Sequence, residues 1–256
     1  MFETLLVEAE GPLGRITLNR PDKLNPLSTE TLQELAQAAR YFDERPEVKV
    51  VIVSGKGRAF SAGADLTSFS GSSDLSSREV GEIGRQMAEA IEGMRALAIA
   101  EIQGWCVGGG LVLAAACDLR FVAESARFSI PEVDLGIPLA WGGIPRLVRE
   151  IGPAMTKELV LTCRPFDAAE AKAAGFVNRV VPDAELTATV QELAESLCEK
   201  AGLTLLATKN HVNAVTDQMV GTMRSWSDAD GLALALQDPE CAEARRNYLG
   251  KQKARS

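Results

Sequence analysis

Short apolar stretches at Leu5 to Glu8 and Ile16 to Leu18, separated by Gly11-Pro12, predict two strands joined by a turn, with Pro21 and Pro26 in the loop that follows. Ser28 and Thr29 then offer an N-cap to an amphipathic helix reaching about Phe42. The run Val48 to Val53 is almost entirely β-branched, with Lys49 near its start, and it ends at Ser54-Gly55. Such a run predicts a strand buried on both faces, as in a parallel sheet. A Gly- and Ser-rich loop from Ser61 to Ser77 leads to a helix over about Arg78 to Met94, and a further strand covers Ala98 to Ile102. Gly108-Gly109-Gly110 opens a small-residue helix through Ala116, and Leu119 to Ala123 returns as a strand.

Helix and strand therefore alternate with short connections, the signature of an α/β fold. Helical patterns dominate from Ile144 onward, interrupted by one strand at Val177 to Val181, and after about Ala201 no strand signal remains. We place the boundary near residue 200, with an α/β core at 1–200 and a helical region at 201–256. No repeat of fixed period is present, and Ser68 to Ser77 is the one low-complexity stretch.

A chain of 256 residues, 46% hydrophobic and 24% charged, has ample length to bury a core. The net charge of −8 argues against nucleic acid or an anionic membrane surface as a general partner. The five cysteines, Cys106, Cys117, Cys163, Cys198 and Cys241, are widely spaced and mostly set in apolar stretches, so they read as buried thiols of a reducing compartment. One histidine, His211, leaves no ligand set for a metal, and none is expected. The N-terminal MFETLLVEAEG carries acids where a signal peptide needs basic residues, and the longest uncharged run, Ile102 to Cys117, holds a Gly triplet. As a helix that run would reach about 24 Å, short of the roughly 30 Å of a bilayer core. The expectation is a cytoplasmic protein without a membrane span.

Three segments can carry chemistry. The first, Gly55 to Leu66, follows a strand exit, where α/β folds bind ligands, and its small residues let a ligand approach the backbone. Its spacing fits neither a P-loop nor GxGxxG, which disfavours a nucleotide phosphate cradle. In the second, Gly104 to Val112, three glycines turn a strand into a helix whose free N–H groups suit a developing oxyanion, although such a triplet also serves plain packing. The third, Ile130 to Pro138, sets Glu132 and Asp134 among apolar residues. A carboxylate buried there would have its pKa raised toward that of a useful base, and one in an exposed loop would not.

Taken in this order, the three segments resemble the enoyl-CoA hydratase/isomerase (crotonase) superfamily. The resemblance extends from Arg20-Pro21-Asp22-Lys23-Leu24-Asn25 through Ala168-Ala169-Glu170-Ala171 to Gly175-Phe176-Val177-Asn178-Arg179-Val180-Val181. It implies a spiral of ββα units, a helical C-terminal region that trimerises or forms a dimer of trimers, and an acyl-CoA thioester substrate with no separate cofactor. Carried over by position, the N–H groups of Ala64 and Gly109 would hold the thioester oxygen. Glu132 falls on the second of the two glutamates of hydratases, whereas Val112 stands in place of the first. The aspartates of dienoyl isomerases, at Val112 and near Ala140, are absent as well.

The resemblance also implies substrate contacts from Lys23, Leu24, Ala62, Gly63, Asp65, Leu66, Trp105, Gly108, Val112, Pro131, Leu135 and Gly136. With one carboxylate, a 1,3-proton shift is better served than water addition, because hydration needs a second group to hold the water. Inefficient hydration and non-catalytic acyl-CoA binding remain alternatives, since a fold does not fix function. A serine hydrolase reading rests on Ala59-Phe60-Ser61-Ala62-Gly63, a near miss of GxSxG that lacks the first glycine, with His211 as base. An acidic chain that binds CoA needs local positive charge for its phosphates, and Arg20, Lys23, Lys56, Arg58 and the terminal Lys251, Lys253 and Arg255 are the candidates.

Overall fold

The structure is a computed structural model and describes residues 2–65, 76–225 and 227–253. Its main sheet runs in the order β1 (Leu5–Glu10), β2 (Leu13–Leu18), β3 (Val50–Gly55), β4 (Leu97–Ile102), β6 (Leu119–Ala123), β9 (Arg179–Val181). The β1–β2 hairpin is antiparallel and every later pairing is parallel. A second sheet of three short strands, β5 (Trp105–Val107), β7 (Arg127–Ser129) and β8 (Phe166–Asp167), stands beside it.

Burial of β3 on both faces, expected from its sequence, is what positions everything else. Val51 and Val53 join the large core, which also includes Leu35 of α1 (Thr29–Asp43), Met87 of α2 (Ser77–Gly93) and Leu113 of α3 (Gly109–Ala116). Val50 and Ile52 turn the other way, into a smaller core with Leu186, Val190 and Ala194 of α6 (Leu186–Cys198). The strand begins at Val50, two residues later than its pattern predicts, because Lys49 lies at the rim, where its ammonium donates to the carbonyls of Cys198 (2.7 Å) and Lys200 (2.8 Å). Ser28 caps α1 as expected, accepting from the Thr31 N–H, and Ser76 with Glu79 forms a full capping box on α2.

Three strands were absent from the pattern. β5, β7 and β8 have two or three residues each, too few for an alternation to register, and tertiary pairing alone makes them strands. β9 starts at Arg179 rather than Val177, since Phe176 and Val177 enter the large core instead of the ladder.

The helical half comprises α4 (Gly143–Thr162), which is broken at Gly152-Pro153, then α5 (Ala168–Ala173), α6, α7 (Gly202–Val220), α8 (Asp228–Gln237) and α9 (Pro239–Lys253). Beyond residue 201 no strand occurs among the described residues, and these helices are tied to the sheet. Lys209 of α7, 5% exposed, donates to Asp118 and to the Ala96 carbonyl. All five cysteines are free, but only Cys106, Cys117 and Cys163 are buried, and Cys198 and Cys241 are half-buried on helices α6 and α9. No helix among the described residues is long and apolar enough to cross a membrane.

Candidate active site

Two loops and one helix start are bound together. Asn25, 1% exposed, works as a staple: its amide donates to the carbonyls of Lys56 and Ala59 (both 2.9 Å), while its side-chain oxygen accepts from the Arg20 N–H. The chain from Phe60 then runs alongside β5, with hydrogen bonds from Phe60 N–H to the Gln103 carbonyl, Ser61 N–H to that of Trp105, and Val107 N–H to that of Ser61. On its other side, Ala62 donates to the Leu24 carbonyl, Leu27 donates to that of Gly63, and Asp65 donates to that of Leu27. The N–H of Ala64 is passed over by this alternating pattern.

Gly63 has φ +89°, and a side chain there would press on the Val107 carbonyl, with the Gly109 nitrogen 3.6 Å away. The Ala62–Ala64 segment is thus laid directly on the N-terminus of α3. Gly109 is the first residue of that helix, so its N–H has no intrahelical acceptor. Among the described residues, no acceptor lies against the N–H of Ala64 or Gly109.

Glu132 reaches the same corner. Its carboxylate rests on the backbone of Gly108, where φ is +49° and an added methyl group would collide with Oε1. The residue is 8% exposed, and Oε2 is buried with no hydrogen-bond partner. Burial pushes its pKa up to about 7, opposed weakly by a hydrogen bond from its own backbone.

Val112 is 1% exposed, and its Cγ2 and the Leu139 side chain both lie against Gly143, in the large core. Leu24 and Ala62 are half-buried and hydrogen-bonded to each other, Pro131 is half-buried, and Leu135 is buried. Lys23, Lys56 and Arg58 are exposed at the rim, with Trp105 43% exposed on β5. Arg20 pairs with Asp65 at 3.2 Å. Gly136, at φ +63°, packs against the backbone of Cys241 on α9. Leu66 lies outside the described residues. Ser61 is fully buried, donates to the Asn25 carbonyl and accepts from the Gly63 N–H, while His211 is exposed on α7. The serine is a loop brace, and the hydrolase reading loses its nucleophile.

One residue at the site escaped the sequence reading. The indole of Trp141 lies between Gly84 of α2 and Gly109 of α3, so closely that a methyl group on either glycine would collide with it. Trp141 is 5% exposed and has φ +61°. Arg146, fully buried, donates to the carbonyls of Trp141 and Gly142 and to Glu92, and Asp228 of α8 accepts from the Gly142 N–H. The signal was Trp141-Gly142-Gly143, an aromatic beside two glycines just before a helix.

The family model described as enoyl-CoA hydratase/isomerase matches residues 8–255. The chain belongs to that family. It is 36% identical over 255 residues to a protein of Syntrophomonas wolfei subsp. wolfei named crotonyl-CoA hydratase, covering 99% of this chain and 97% of the relative. It is 37% identical over 221 residues to the peroxisomal Delta(3,5)-Delta(2,4)-dienoyl-CoA isomerase of Arabidopsis thaliana, with 81% and 80% covered. The crystal structure of an enoyl-CoA hydratase from Mycobacterium avium subsp. paratuberculosis K-10 superposes with a TM-score of 0.86 at 28% identity, over 95% of this chain and 98% of that one. The names of relatives favour hydratase more than isomerase. The crotonase fold expected from the three motifs is the fold observed.

Proposed function

We propose that this acyl-CoA enzyme moves a double bond along the acyl chain of an enoyl-CoA thioester by a single-base enolate mechanism. The N–H groups of Ala64 and Gly109 hold the thioester oxygen. Glu132, ionised, takes a proton from the carbon beside the carbonyl. The electron pair released from that C–H bond spreads through the carbonyl and the adjacent double bond, and negative charge collects on the oxygen between the two donors. The protonated Glu132 then returns the proton to the far end of the allyl system, leaving the double bond conjugated with the thioester. No atom is gained or lost. Each oxyanion donor is typically worth about 10²–10³ in rate.

The observation that carries this reading is the contrast between two positions at one corner: a buried carboxylate with an unpartnered oxygen at Glu132, and the apolar Val112 beside the same helix start. Addition of water needs a group to hold the water as well as one to take its proton, and Val112 offers neither. A second reading, slow hydration with Glu132 as the one base, is supported to this extent, that relatives are named hydratases.

Purified protein given 2-enoyl-CoA and 3-enoyl-CoA side by side separates them. Migration of the double bond in the 3-enoyl ester, with water addition to the 2-enoyl ester slower by orders of magnitude, is the expected result; hydration at ordinary enzyme rates would overturn it. Affinity for acyl-CoA without any turnover would make the chain a binding protein.

A further inference from the structure

We propose that Trp141 sets the length limit of the acyl group, confining this site to short chains. The inference rests on the reading of Gly109 as a carbonyl-holding residue. A thioester whose oxygen sits on the Gly109 N–H must send its acyl chain away from that residue. The Gly63 and Val107 backbones close one side and Gly108 with Glu132 another. Among the described residues, what remains is the space between α2 and α3, and the indole occupies it, touching Gly84 on one helix and Gly109 on the other.

The ring is held there. Trp141 sits in the left-handed region, which a bulky residue occupies only when its surroundings enforce it. The enforcing groups are the buried Arg146 guanidinium on the carbonyls of Trp141 and Gly142, and Asp228 on the Gly142 N–H. Arg146 is itself anchored by Glu92 at 2.6 Å. Arg146 and Asp228 are thus positioning residues for the indole. Trp141 also belongs to the large core, together with Val112 and Leu139, which both lie against Gly143. Glycine at 84 and 109 is then explained: a methyl group at either position would displace the ring.

The test uses saturated acyl-CoA esters, which bind without reacting, titrated calorimetrically into the full-length protein. Affinity is expected to peak at butyryl-CoA or hexanoyl-CoA and to fall by about tenfold or more at decanoyl-CoA, the scale at which apolar pockets discriminate misfitting methylenes. Trp141→Ala, and the milder Trp141→Phe, should raise the affinity for decanoyl-CoA relative to butyryl-CoA by about tenfold, melting curves verifying that each variant is folded. Equal affinity of the wild type for butyryl-CoA and decanoyl-CoA would overturn the proposal without any variant, and so would folded variants with an unchanged chain-length profile. No binding of any ester would instead overturn the acyl-CoA reading of the site. A short-chain preference without double-bond migration would overturn the isomerase reading alone.

Discussion

Glu132 differs from the surface glutamates in what surrounds its charge. Glu79, Glu82 and Glu170 each have pKa values lowered by hydrogen bonds from Ser76, Arg85 and Arg164 respectively, and are stabilised as anions. Glu132 is buried against a glycine backbone with one oxygen unpartnered, and burial holds its pKa at about 7 against an ordinary 4.5. As a base it must be ionised, so the rate should rise with pH through about 7 and level off above it. Glu132→Gln should lower turnover by about 10²–10⁴ while acyl-CoA affinity persists.

Stability should move the opposite way. A carboxyl group whose pKa is raised on folding contributes fully below its unfolded value and loses that contribution as pH climbs through the folded one. Between about pH 5 and pH 8 the wild type should lose on the order of 3 kcal/mol that Glu132→Gln does not. Thermal melts of both proteins across that range check this, and parallel pH dependences would refute it. Glu132 was legible as one of two acids in an apolar segment, and the resemblance singled it out. Trp141 was not, because Trp141-Gly142-Gly143 marks a turn before a helix without naming the distant glycines, Gly84 and Gly109, that the indole meets. Arg146 was equally silent, since its full burial depends on Glu92, more than fifty residues away in the chain.

Among elements, the Ala62–Ala64 segment matters most and has the least secondary structure of its own. It is held by single bridges, Leu27 to Ala64 and Ser61 to Cys106, and by the Asn25 staple. Asn25→Ala would leave the Lys56 and Ala59 carbonyls without their amide donor, at a cost of about 1–3 kcal/mol for the buried Ala59 carbonyl. Because the same staple fixes where the Ala64 N–H points, KM should rise and kcat fall together, more than the loss of stability alone would explain. Steady-state kinetics beside a denaturant titration decides it, and a variant destabilised yet kinetically normal would mean that the loop is held by other bonds. The long elements were readable because apolar spacing or β-branched runs persist over many residues. β5, β7 and β8 were not, because pairing partners from distant parts of the chain define them. Leu24 and Asn25, both at positive φ, show the same limit, as only the finished fold holds them there.

For the whole molecule, net charge and assembly set the remaining expectations. A protein of net charge −8 must offer CoA phosphates a local exception. Arg20 is engaged by Asp65, which leaves Lys23, Lys56 and Arg58 exposed around the loops. Lys23→Glu should therefore weaken acyl-CoA binding by about threefold to tenfold at low salt and by less at high salt, with kcat little changed. An effect independent of salt would remove Lys23 from the phosphate site.

The helices after residue 200 carry the last prediction. Leu203, Val212, Val215 and Met219 of α7 are exposed apolar side chains, a surface that a second copy of the chain would cover. Sedimentation is expected to return a trimer or a dimer of trimers. The same helices also serve their own subunit: Lys209 neutralises Asp118, Asp228 holds the Trp141 turn, and Gly81 of α2 receives Ala229 and Leu232 of α8. Deleting residues 201–256 would remove both the Lys209 ammonium and the helix that carries it from the half-buried Asp118, and would strip Ala229 and Leu232 from Gly81, so the truncated chain should be less stable. Acyl-CoA binding should go with it, since the indole then loses one of its two holds. Sedimentation and CoA titration of the truncated chain read both effects, and a soluble monomer of undiminished affinity would show that neither the assembly nor the Asp228 contact supports the site.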